Sequence, residues 1–595
     1  MADFVGLSLD LFTLAIKAYE VLQQAIEFPE SYSALVLKLD VELTRLQLWG
    51  KHSGITQGSL IPELIPLESL IDRVLKRLAD LLQDTAKLKE KYGLQPVDEV
   101  ASGGQGTGSH PKPIMQVRNI LRAITELKPR KDTRNSNDDS GGGQVRTPDR
   151  LDRLRWAISS REKFDELVEE IRSYVNSLNE LLQASQRATL RHDWERTEIK
   201  LVCAVDDPSD LLLVRQMADK NTVCQDMVTM ASRKAIVANH ANLAPTTDHG
   251  PIHVLQKEDF QLPSEYHSMT RCIVMYTPKT SLLPITLNNS YFLAEKKCFD
   301  VHISSEDKVA LLTRLHRLMT LLHTSADSDR GMLPACIGYW SEDNSWCLVY
   351  RIPFLPSSTV PPQVEGSLTT AQPLSLLHLL QSSTFRPALE RRLNLACGLA
   401  AVLSRLYGGQ WLHKGIRSEN IVFPWSSPSP FYDISRPVIV GFEYSRQYTE
   451  PASIDFVVQD FSQAISRHPD YQGDAVNRSG YRLSYDIYSF GLLLAEIAWW
   501  VPLEKIYQDV TRKKTASSSS KASVVEYDAP QARAFMEEIV RKVGKEMSFR
   551  VGTVYQKVIE WCLKQGRLAF VDDKELVVDF YSNVVVPLET ISRIA

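Results

Sequence analysis

The sequence has no large excess of charge of one sign. Lys and Arg total 68 and Asp and Glu total 72, so the net charge of the 595 residues is −4. Proteins that bind nucleic acid over a broad surface usually carry a basic excess, because contacts with phosphates dominate their affinity. The charge balance therefore predicts no nucleic-acid partner, and it limits any contact with an anionic membrane to a local patch.

Cysteine pairs and long apolar runs are also missing. The eight cysteines all follow residue 200 and none are spaced as Cys-x-x-Cys, which argues against a zinc ribbon and a disulfide framework. No uninterrupted apolar stretch reaches the ~18–20 residues of a membrane-spanning helix. The first residues carry an acid where a signal peptide has a basic start. We expect reduced thiols and a cytoplasmic protein.

The first 230 residues show helical periodicity. Apolar residues recur at spacings of three and four, as in Leu35, Leu39 and Leu43, and the same pattern returns over 151–182. Two segments rich in Gly, Ser, Asn and Asp bury too little apolar surface to order themselves. The pattern predicts an all-α bundle over 1–230 with disordered loops near 96–112 and 131–148.

A different pattern follows a linker that we predict at 231–254. Strand-like runs come first and helical stretches later, which is typical of an α+β domain, here over 255–595. The strand-like runs are 271–276, 290–297 and 345–351, and the helical stretches are 374–407 and 486–500. The chain is therefore expected to be multidomain.

The first helix is apolar around most of its circumference. Its polar residues Asp3, Asp10, Lys17 and Gln24 form one narrow stripe at seven-residue spacing. Such a helix either packs at the centre of a bundle or binds a membrane. Both interpretations hold if a trigger releases the packed helix. Its internal charges favour interfacial binding or an oligomer over insertion of a monomer. The candidate membrane-active residues are Phe4, Leu7, Leu11, Phe12 and Leu14.

Three segments of the bundle resemble a HeLo domain, the helical domain of fungal prion-inhibition and propagation proteins. They are the first helix, the segment 32–51 and a late helix over 153–182. A Leu-x-x-Trp-Gly end on the second segment and a Trp followed by a Phe in the third carry the resemblance, which covers about 4–220. The residues concerned are Leu46, Trp49, Gly50, Trp156 and Phe164.

The resemblance implies inducible membrane toxicity. In that family the first helix, which maps onto 4–22 here, is expelled, the bundle forms a homo-oligomer, and the bilayer is permeabilised. The outcome is programmed cell death in self/non-self recognition, known as heterokaryon incompatibility. Membrane lipid and further copies of the chain are therefore the expected partners.

The second domain resembles a protein kinase that lacks the catalytic Asp and the metal-binding Asp. The segment 411–423 is similar to the catalytic loop His-Arg-Asp-x-Lys-x-x-Asn, with His413 and Asn420 in place and Gly415 where the catalytic Asp belongs. Gly441 stands where the metal-binding Asp of Asp-Phe-Gly belongs. A third match, to the helix after the activation segment, places Asp486 and Gly491 as structural anchors together with His413. The resemblance implies a bilobal kinase-like fold over about 255–590.

The upper part of the kinase pattern is also incomplete. The segment 292–297 resembles the Ala-x-Lys strand and makes Lys296, in preference to Lys297, the phosphate-contact candidate. The helix over 308–322 lacks the usual glutamate partner, and no Gly-x-Gly-x-x-Gly precedes the strand. Loss of a general base alone costs ~10²–10⁴-fold in rate. We expect a pseudokinase that is no enzyme and has no cofactor.

The alternative to a second domain that binds no ligand is a domain that still binds ATP through Lys296 and Asn420. A solvated strand lysine and a loop-stabilising amide are the plainer interpretations of these two residues. Candidate phosphorylation sites lie in 443–453 and 511–523, and the basic stretch 118–134 is either a contact for lipid headgroups or a solvated loop.

The combined hypothesis is a latent effector in which the pseudokinase controls the HeLo-like bundle. The arrangement is similar to that of animal mixed-lineage-kinase-like necroptosis executioners, an analogy at the level of the fold. It implies an upstream receptor or protein partner, and movement from the cytoplasm to the plasma membrane on activation. The alternatives are a non-toxic protein-interaction scaffold and a divergent active kinase.

Overall fold

The computed structural model divides the chain into two compact units, Met1–Ala231 and Ser232–Ala595. The residues that it describes are 5–96, 112–125, 156–218, 224–238, 253–279, 290–299, 302–325, 331–351, 373–423, 433–442, 460–472, 480–515, 527–565 and 572–594. The linker predicted at 231–254 starts inside a helix that continues to Ala238, and 239–252 lie outside the described residues. Both predicted disordered loops also lie outside them, apart from residues 96 and 112.

Unit 1 is helical, as its periodicity predicted. Its helices are α1 Val5–Ala25, α2 Ser33–His52, α3 Glu68–Gln83, α4 Thr85–Glu90, α5 Lys112–Thr125, α6 Arg161–Leu181, α7 Ala184–Ala204, α8 Pro208–Arg215 and α9 Gln225–Ala238. The last of them crosses the division between the units. Helix α2 is the centre of this bundle, since every residue from Ser33 to Leu46 is buried.

Polar residues of α2 are paired inside the bundle. The Glu42 carboxylate accepts from Arg172 Nε at 2.8 Å and from Arg45 Nη1 at 2.6 Å, and Arg45 Nη2 donates to Asn176 Oδ1 at 2.7 Å. Because Glu42 is fully buried, these partners offset the cost of removing its charge from water. The contacts fasten α2 to α6.

A small three-stranded sheet interrupts the helices. Strand β3, Trp156–Ile158, pairs parallel with β1, Ile26–Glu27, and antiparallel with β2, Leu94–Pro96. The prediction of one helix over 153–182 is therefore wrong at its start. Ser160 has extended backbone angles and its side chain accepts from the Lys163 N–H, which caps α6 and excludes the preceding residues from it.

Unit 2 begins with a mixed six-stranded sheet of order β4-β8-β9-β7-β6-β5. The strands are β4 His253–Val254, β5 Phe260–Gln261, β6 Arg271–Tyr276, β7 Tyr291–Cys298, β8 Ala335–Glu342 and β9 Ser345–Arg351, so the three predicted strand runs are confirmed. An aromatic cluster that includes Phe260, Tyr266, Phe292 and Trp340 covers one face. Helix α10, Ser305–Ser325, packs on β8, where His316 Nε2 lies 3.2 Å from the Tyr339 hydroxyl.

Helices and a second small sheet complete unit 2. The sheet has the order β10-β11-β12, with β10 Leu374–Ser375, β11 Ile421–Phe423 and β12 Val438–Ile439. The helices are α11 Leu376–Gln381, α12 Leu389–Gly408, α13 Phe461–Ala464, α14 Leu483–Trp499, α15 Leu503–Thr515, α16 Ala529–Val551, α17 Thr553–Lys564, α18 Asp573–Phe580 and α19 Val586–Ile594. This confirms the α+β class of the second domain.

In the part of the chain that the structure describes, no single helix has the length and apolar character needed to cross a membrane. One pair, Leu483–Trp499 and Leu503–Val510, passes that test jointly but is bent by 86°. Nearly all residues of α14 are buried within unit 2, which is typical of a core helix.

Candidate functional site

The segment around His413 in unit 2 is held by Asp486 of α14. The two carboxylate oxygens of Asp486 accept from the backbone N–H of His413 at 2.6 Å and of Lys414 at 2.9 Å, and the Tyr481 hydroxyl donates to the same carboxylate at 2.7 Å. Burial raises the pKa of Asp486 to about 6, against the lowering effect of these donors. The buried helix therefore fixes the backbone of this segment.

His413 has a structural set of contacts. Its Nε2 lies 3.1 Å from the Val440 carbonyl, its Nδ1 accepts from the Gly415 N–H at 3.1 Å, and its ring packs on Phe442 with centroids 4.3 Å apart. Both ring nitrogens are thus engaged, with the tautomer set by the carbonyl acceptor. Gly415 contributes only backbone groups here.

Gly441 lies directly against the Asn420 side chain. A Cβ built at Gly441 would be 2.2 Å from Asn420 Cγ, and the residue has φ of +75°, in the left-handed region. Asn420 Nδ2 donates to the Gly415 carbonyl at 2.7 Å. Position 441 therefore has no room for any side chain in this conformation.

Gly491 is likewise required by close packing. A Cβ at this position would be 2.7 Å from Cys562 Cβ, so glycine lets α14 approach α17 closely. With Asp486 and His413, it is one of three predicted anchor residues that the structure places in interior contacts.

Arg271 and Glu295 join this cluster from the large sheet. The Arg271 guanidinium donates to Glu295 Oε2 at 2.9 Å, to Asn420 Oδ1 at 2.9 Å and to the Glu419 carbonyl at 3.2 Å. Glu295 Oε2 also accepts from the Gly441 N–H at 3.0 Å. Sequence reasoning missed both residues.

Lys296 does not reach this cluster. Its ammonium donates to the Tyr266 carbonyl at 2.8 Å and lies 3.9 Å from the Tyr266 ring centroid, because side chains alternate along β7 and Glu295 and Lys297 occupy the opposite face. Lys297 Nζ lies 2.6 Å from Glu295 Oε1. Lys296 and Asn420, the two residues predicted to contact a nucleotide, are therefore not brought together, and Lys297 is the lysine that lies beside Glu295.

In unit 1, helix α1 lies on α2 and α3 through one face. Ser8, Phe12 and Tyr19 are buried on that face, while the predicted stripe of Asp10, Lys17 and Gln24 is exposed, apart from Asp3, which lies outside the described residues. Ser8 Oγ donates to Asp72 Oδ1 and lies 3.4 Å from Glu68 Oε1 on α3. The polar stripe thus marks the exposed side of the helix, but α1 packs on the bundle through one face and is not central to it.

Phe12 of α1 packs closely on Gly50 and Trp49 of α2. A Cβ built at Gly50 would lie 2.3 Å from Phe12 Cζ, and the Phe12 and Trp49 ring centroids are 6.1 Å apart. Trp49 Nε1 in turn donates to the Leu178 carbonyl of α6 at 3.0 Å. The missing side chain at Gly50 and the fixed Trp49 ring together form the site into which Phe12 fits.

Polar contacts hold the second half of α1. The Tyr19 hydroxyl donates to the Leu39 carbonyl, and Gln23 Nε2 donates to Asp40 Oδ1. From α5, Arg118 Nε lies 2.7 Å from Asp40 Oδ2 and Arg122 Nη2 donates to Gln23 Oε1 at 2.6 Å. These contacts were missed by sequence reasoning, although a buried acid inside an apolar helix such as α2 is a usable signal.

Residues 4–214 match the model of the HeLo family, which is described as prion-inhibition and propagation. The match confirms the HeLo resemblance of the N-terminal part of the chain. It contains α1 and the Trp49–Gly50 pair that holds Phe12, and it ends before α9. A search of curated proteins found no matching relative.

The five predicted membrane-active residues of the HeLo domain have different environments. Phe12 is buried, Leu11 and Leu14 are half-buried, and Leu7 is 51% exposed. Phe4 lies outside the described residues. The apolar surface of α1 is thus divided between a docked face and a flank that reaches solvent.

The basic stretch of the HeLo domain begins as part of its interior. Arg118 is buried and paired with Asp40, and Arg122 is exposed but donates to Gln23, so both belong to helix α5 and neither lies in a loop. The remaining basic residues of the stretch, Lys128, Arg130, Lys131 and Arg134, lie outside the described residues.

Asp40→Asn should flatten the pH dependence of HeLo-domain stability. Burial raises the pKa of Asp40 to about 7, against the lowering effect of Arg118 and Arg122. A folded pKa above the unfolded value means that folding takes up a proton, so stability falls as the pH rises from about 4 to 7. Chemical unfolding of the full chain measures the decrease in the free energy of unfolding between pH 5 and pH 8. This decrease should be smaller in the variant by on the order of 2 kcal/mol.

Asp10→Asn, at an exposed position of α1, is the matched control and should leave the pH dependence unchanged. The buried acids Asp210 and Glu198 also have raised pKa values and remain in both proteins, so only the difference between them reports Asp40. Identical slopes for Asp40→Asn and the unaltered chain would contradict the assignment.

Asp486→Asn should destabilise unit 2 by about 1–2 kcal/mol, because an amide offers only one acceptor oxygen where the carboxylate serves three donors. Thermal unfolding of the full chain is the measurement, with the exposed Asp343→Asn as control. Equal midpoints for the two variants would show that Asp486 does not fix the His413 segment.

In the part of the chain that the structure describes, no group of three or more His, Cys, Asp and Glu side chains is arranged to hold a metal ion.

Proposed function

We propose that the protein is a latent membrane effector whose HeLo domain stores an amphipathic helix. The observation that carries this proposal is the docking of α1, in which Phe12 fits against Gly50 and the polar stripe faces solvent. A released α1 has a broad apolar surface and few charges, which favours the membrane interface. Release allows α1 to bind lipid and further copies of the chain to assemble into a homo-oligomer.

The same proposal makes unit 2 a catalytically impaired, kinase-like regulator. Support comes from the pattern of positions: Asp486 holds the His413 backbone, while Gly415 and Gly441 stand where phosphotransfer requires carboxylates. An upstream protein partner or phosphorylation that favours one state of this domain frees α1. The protein then moves from the cytoplasm to the plasma membrane, and cell death follows.

Release of α1 need not be strongly unfavourable. The docked face consists of a few apolar side chains and the polar contacts of Ser8, Tyr19 and Gln23. On release, these three polar side chains form hydrogen bonds with water or lipid headgroups instead. Burial of the apolar face in a bilayer replaces its burial against α2 and α3. The free energies of the docked state and the membrane-bound state therefore differ by less than the free-energy cost of exposing the helix to water.

Regulated expression of the full chain in a eukaryotic host tests the proposal, with viability and membrane fractionation as readouts. Leu7→Lys is the informative variant, because Leu7 is 51% exposed and its replacement leaves the docked state intact, while a lysine on α1 opposes insertion. Leu212→Lys is the matched control, since Leu212 is 45% exposed on α8 of the same domain.

The proposal predicts toxicity and membrane association for the unaltered chain and for Leu212→Lys, and loss of toxicity for Leu7→Lys, because its lysine opposes insertion but not contact with anionic headgroups. Equal behaviour of the three proteins would contradict a role for α1 at the membrane. Absence of toxicity together with stable capture of a protein partner would favour the interaction scaffold instead.

A further inference from the structure

Arg271 has the contacts of a central cation in unit 2. Its guanidinium donates to Glu295 Oε2, Asn420 Oδ1 and the Glu419 carbonyl, three acceptors from two separate parts of the unit, strand β7 and the segment 419–420. The side chain is only 13% exposed. A planar guanidinium in this position satisfies several fixed acceptors at once, which an ammonium group does less well.

The acceptors around Arg271 are already engaged in this geometry. Asn420 gives its oxygen to Arg271 and its amide N–H to the Gly415 carbonyl. Glu295 is shared among Arg271, Lys297 and the Gly441 N–H. Although burial raises its pKa, the attraction of Lys297 and Arg271 prevails and holds the pKa of Glu295 at about 2, so the carboxylate is charged.

The cluster lies where the sequence resembles the magnesium-binding part of a protein kinase. In working protein kinases the catalytic-loop Asn and the Asp of Asp-Phe-Gly hold the magnesium ions that bridge the phosphates. The corresponding positions here are Asn420 and Gly441, and Arg271 bonds the first while its partner Glu295 bonds the second. Arg271 and Glu295 belong to β6 and β7 of the large sheet, so the cluster also ties that sheet to the His413 segment.

We propose that the Arg271 guanidinium is a built-in substitute for the magnesium ion of a nucleotide complex, and that it keeps unit 2 closed without Mg²⁺-ATP. This inference rests on the kinase-like interpretation of unit 2 and adds its regulation: the closed state is set by an internal ion pair. A partner or modification that opens the domain has to break the Arg271 contacts to Glu419 and Asn420. A change in nucleotide concentration therefore does not open or close unit 2.

The ligand arm of the test uses the unaltered full chain. Its thermal unfolding and amide hydrogen exchange are measured with and without ATP and Mg²⁺, each added alone and together. The proposal predicts no midpoint shift and no change of exchange in 418–423 and 438–442 on addition of both. A Mg²⁺-dependent stabilisation by ATP would overturn it, because such a ligand binds and stabilises the folded state.

The variant arm uses Arg271→Gln, with Arg391→Gln as the matched control. Arg391 is a more exposed arginine of unit 2, whose carboxylate partner Asp433 is 3.5 Å away. Loss of charge-assisted bonds to Glu295 and Asn420 should raise exchange at Gly441 and in 418–423 by about tenfold or more, with α16 unchanged. Exchange equal to that of Arg391→Gln would overturn the proposal.

Arg271→Lys separates charge from geometry. A lysine keeps the pairing with Glu295 but cannot reach Asn420 Oδ1 and the Glu419 carbonyl together, so we expect exchange between those of the unaltered chain and Arg271→Gln. Full retention of protection by lysine would show that any cation serves and would contradict a bridging role. If Arg271→Gln fails to fold, the ligand arm on the unaltered chain still decides the proposal, and neither arm bears on membrane activity of the HeLo domain.

Discussion

Gly50→Val should displace helix α1 from the HeLo bundle. A Cβ at Gly50 already lies 2.3 Å from Phe12 Cζ, and the two methyl groups of valine leave the ring no place between α1 and α2. Overpacking of this kind costs about 1–3 kcal/mol, and with the lost Trp49 contact we expect about 3 kcal/mol at this site. The undocked population of α1 should rise by roughly 100-fold.

Amide hydrogen exchange of α1 in the full chain measures this population directly. Exchange should accelerate in α1 and remain slow in α6. Gly544→Val is the control, since Gly544 is also helical but has only Glu560 Oε1, at 3.7 Å, near a built Cβ. Equal protection of α1 in both variants would mean that Gly50 is not required for docking.

Gly441→Asp should disrupt unit 2. The left-handed φ of +75° costs a non-glycine residue about 1–2 kcal/mol. The new Cβ would also lie 2.2 Å from Asn420 Cγ and has to displace that amide from Gly415 and Arg271. Together these effects predict a loss of about 3–5 kcal/mol of stability.

Thermal unfolding and incorporation of labelled phosphate check this expectation together. Gly480→Asp serves as control, because no atom lies within 4 Å of a Cβ built at Gly480. The control should unfold like the unaltered chain and Gly441→Asp well below it, and neither should transfer phosphate, since Gly415 still offers no base. A stable Gly441→Asp protein that turns over ATP would contradict the description of this site.

The orientation of α1 could be predicted from sequence because a single helical period determines it. Asp10, Lys17 and Gln24 mark the exposed face without knowledge of any partner. Strand β3 could not be predicted in this way, since three residues carry no period and their partners β1 and β2 lie far away in the sequence. The helical pattern after Ser160 was therefore extended too far towards the N-terminus.

The cluster around Arg271 marks a second limit of sequence reasoning. Alternation along β7 places Glu295 and Lys297 on one face and Lys296 on the other, and this signal was available. The resemblance to an Ala-x-Lys strand outweighed it and favoured Lys296. Arg271 itself could not be predicted, because its position beside Glu295 depends on the pairing register of β6 with β7. Sequence reasoning drew attention to Gly415 and Gly441 but not to Arg271 and Glu295, which lie close by.

The central claim is that the helix held by Gly50 is the element that acts on membranes. Dye release from anionic vesicles by the full chain, Gly50→Val and the double variant Gly50→Val/Leu7→Lys tests it most directly. The account predicts slow release by the unaltered chain, much faster release by Gly50→Val, and a return to slow release in the double variant. Release by Gly50→Val that does not exceed that of the unaltered chain, or that persists with Leu7→Lys, would contradict it.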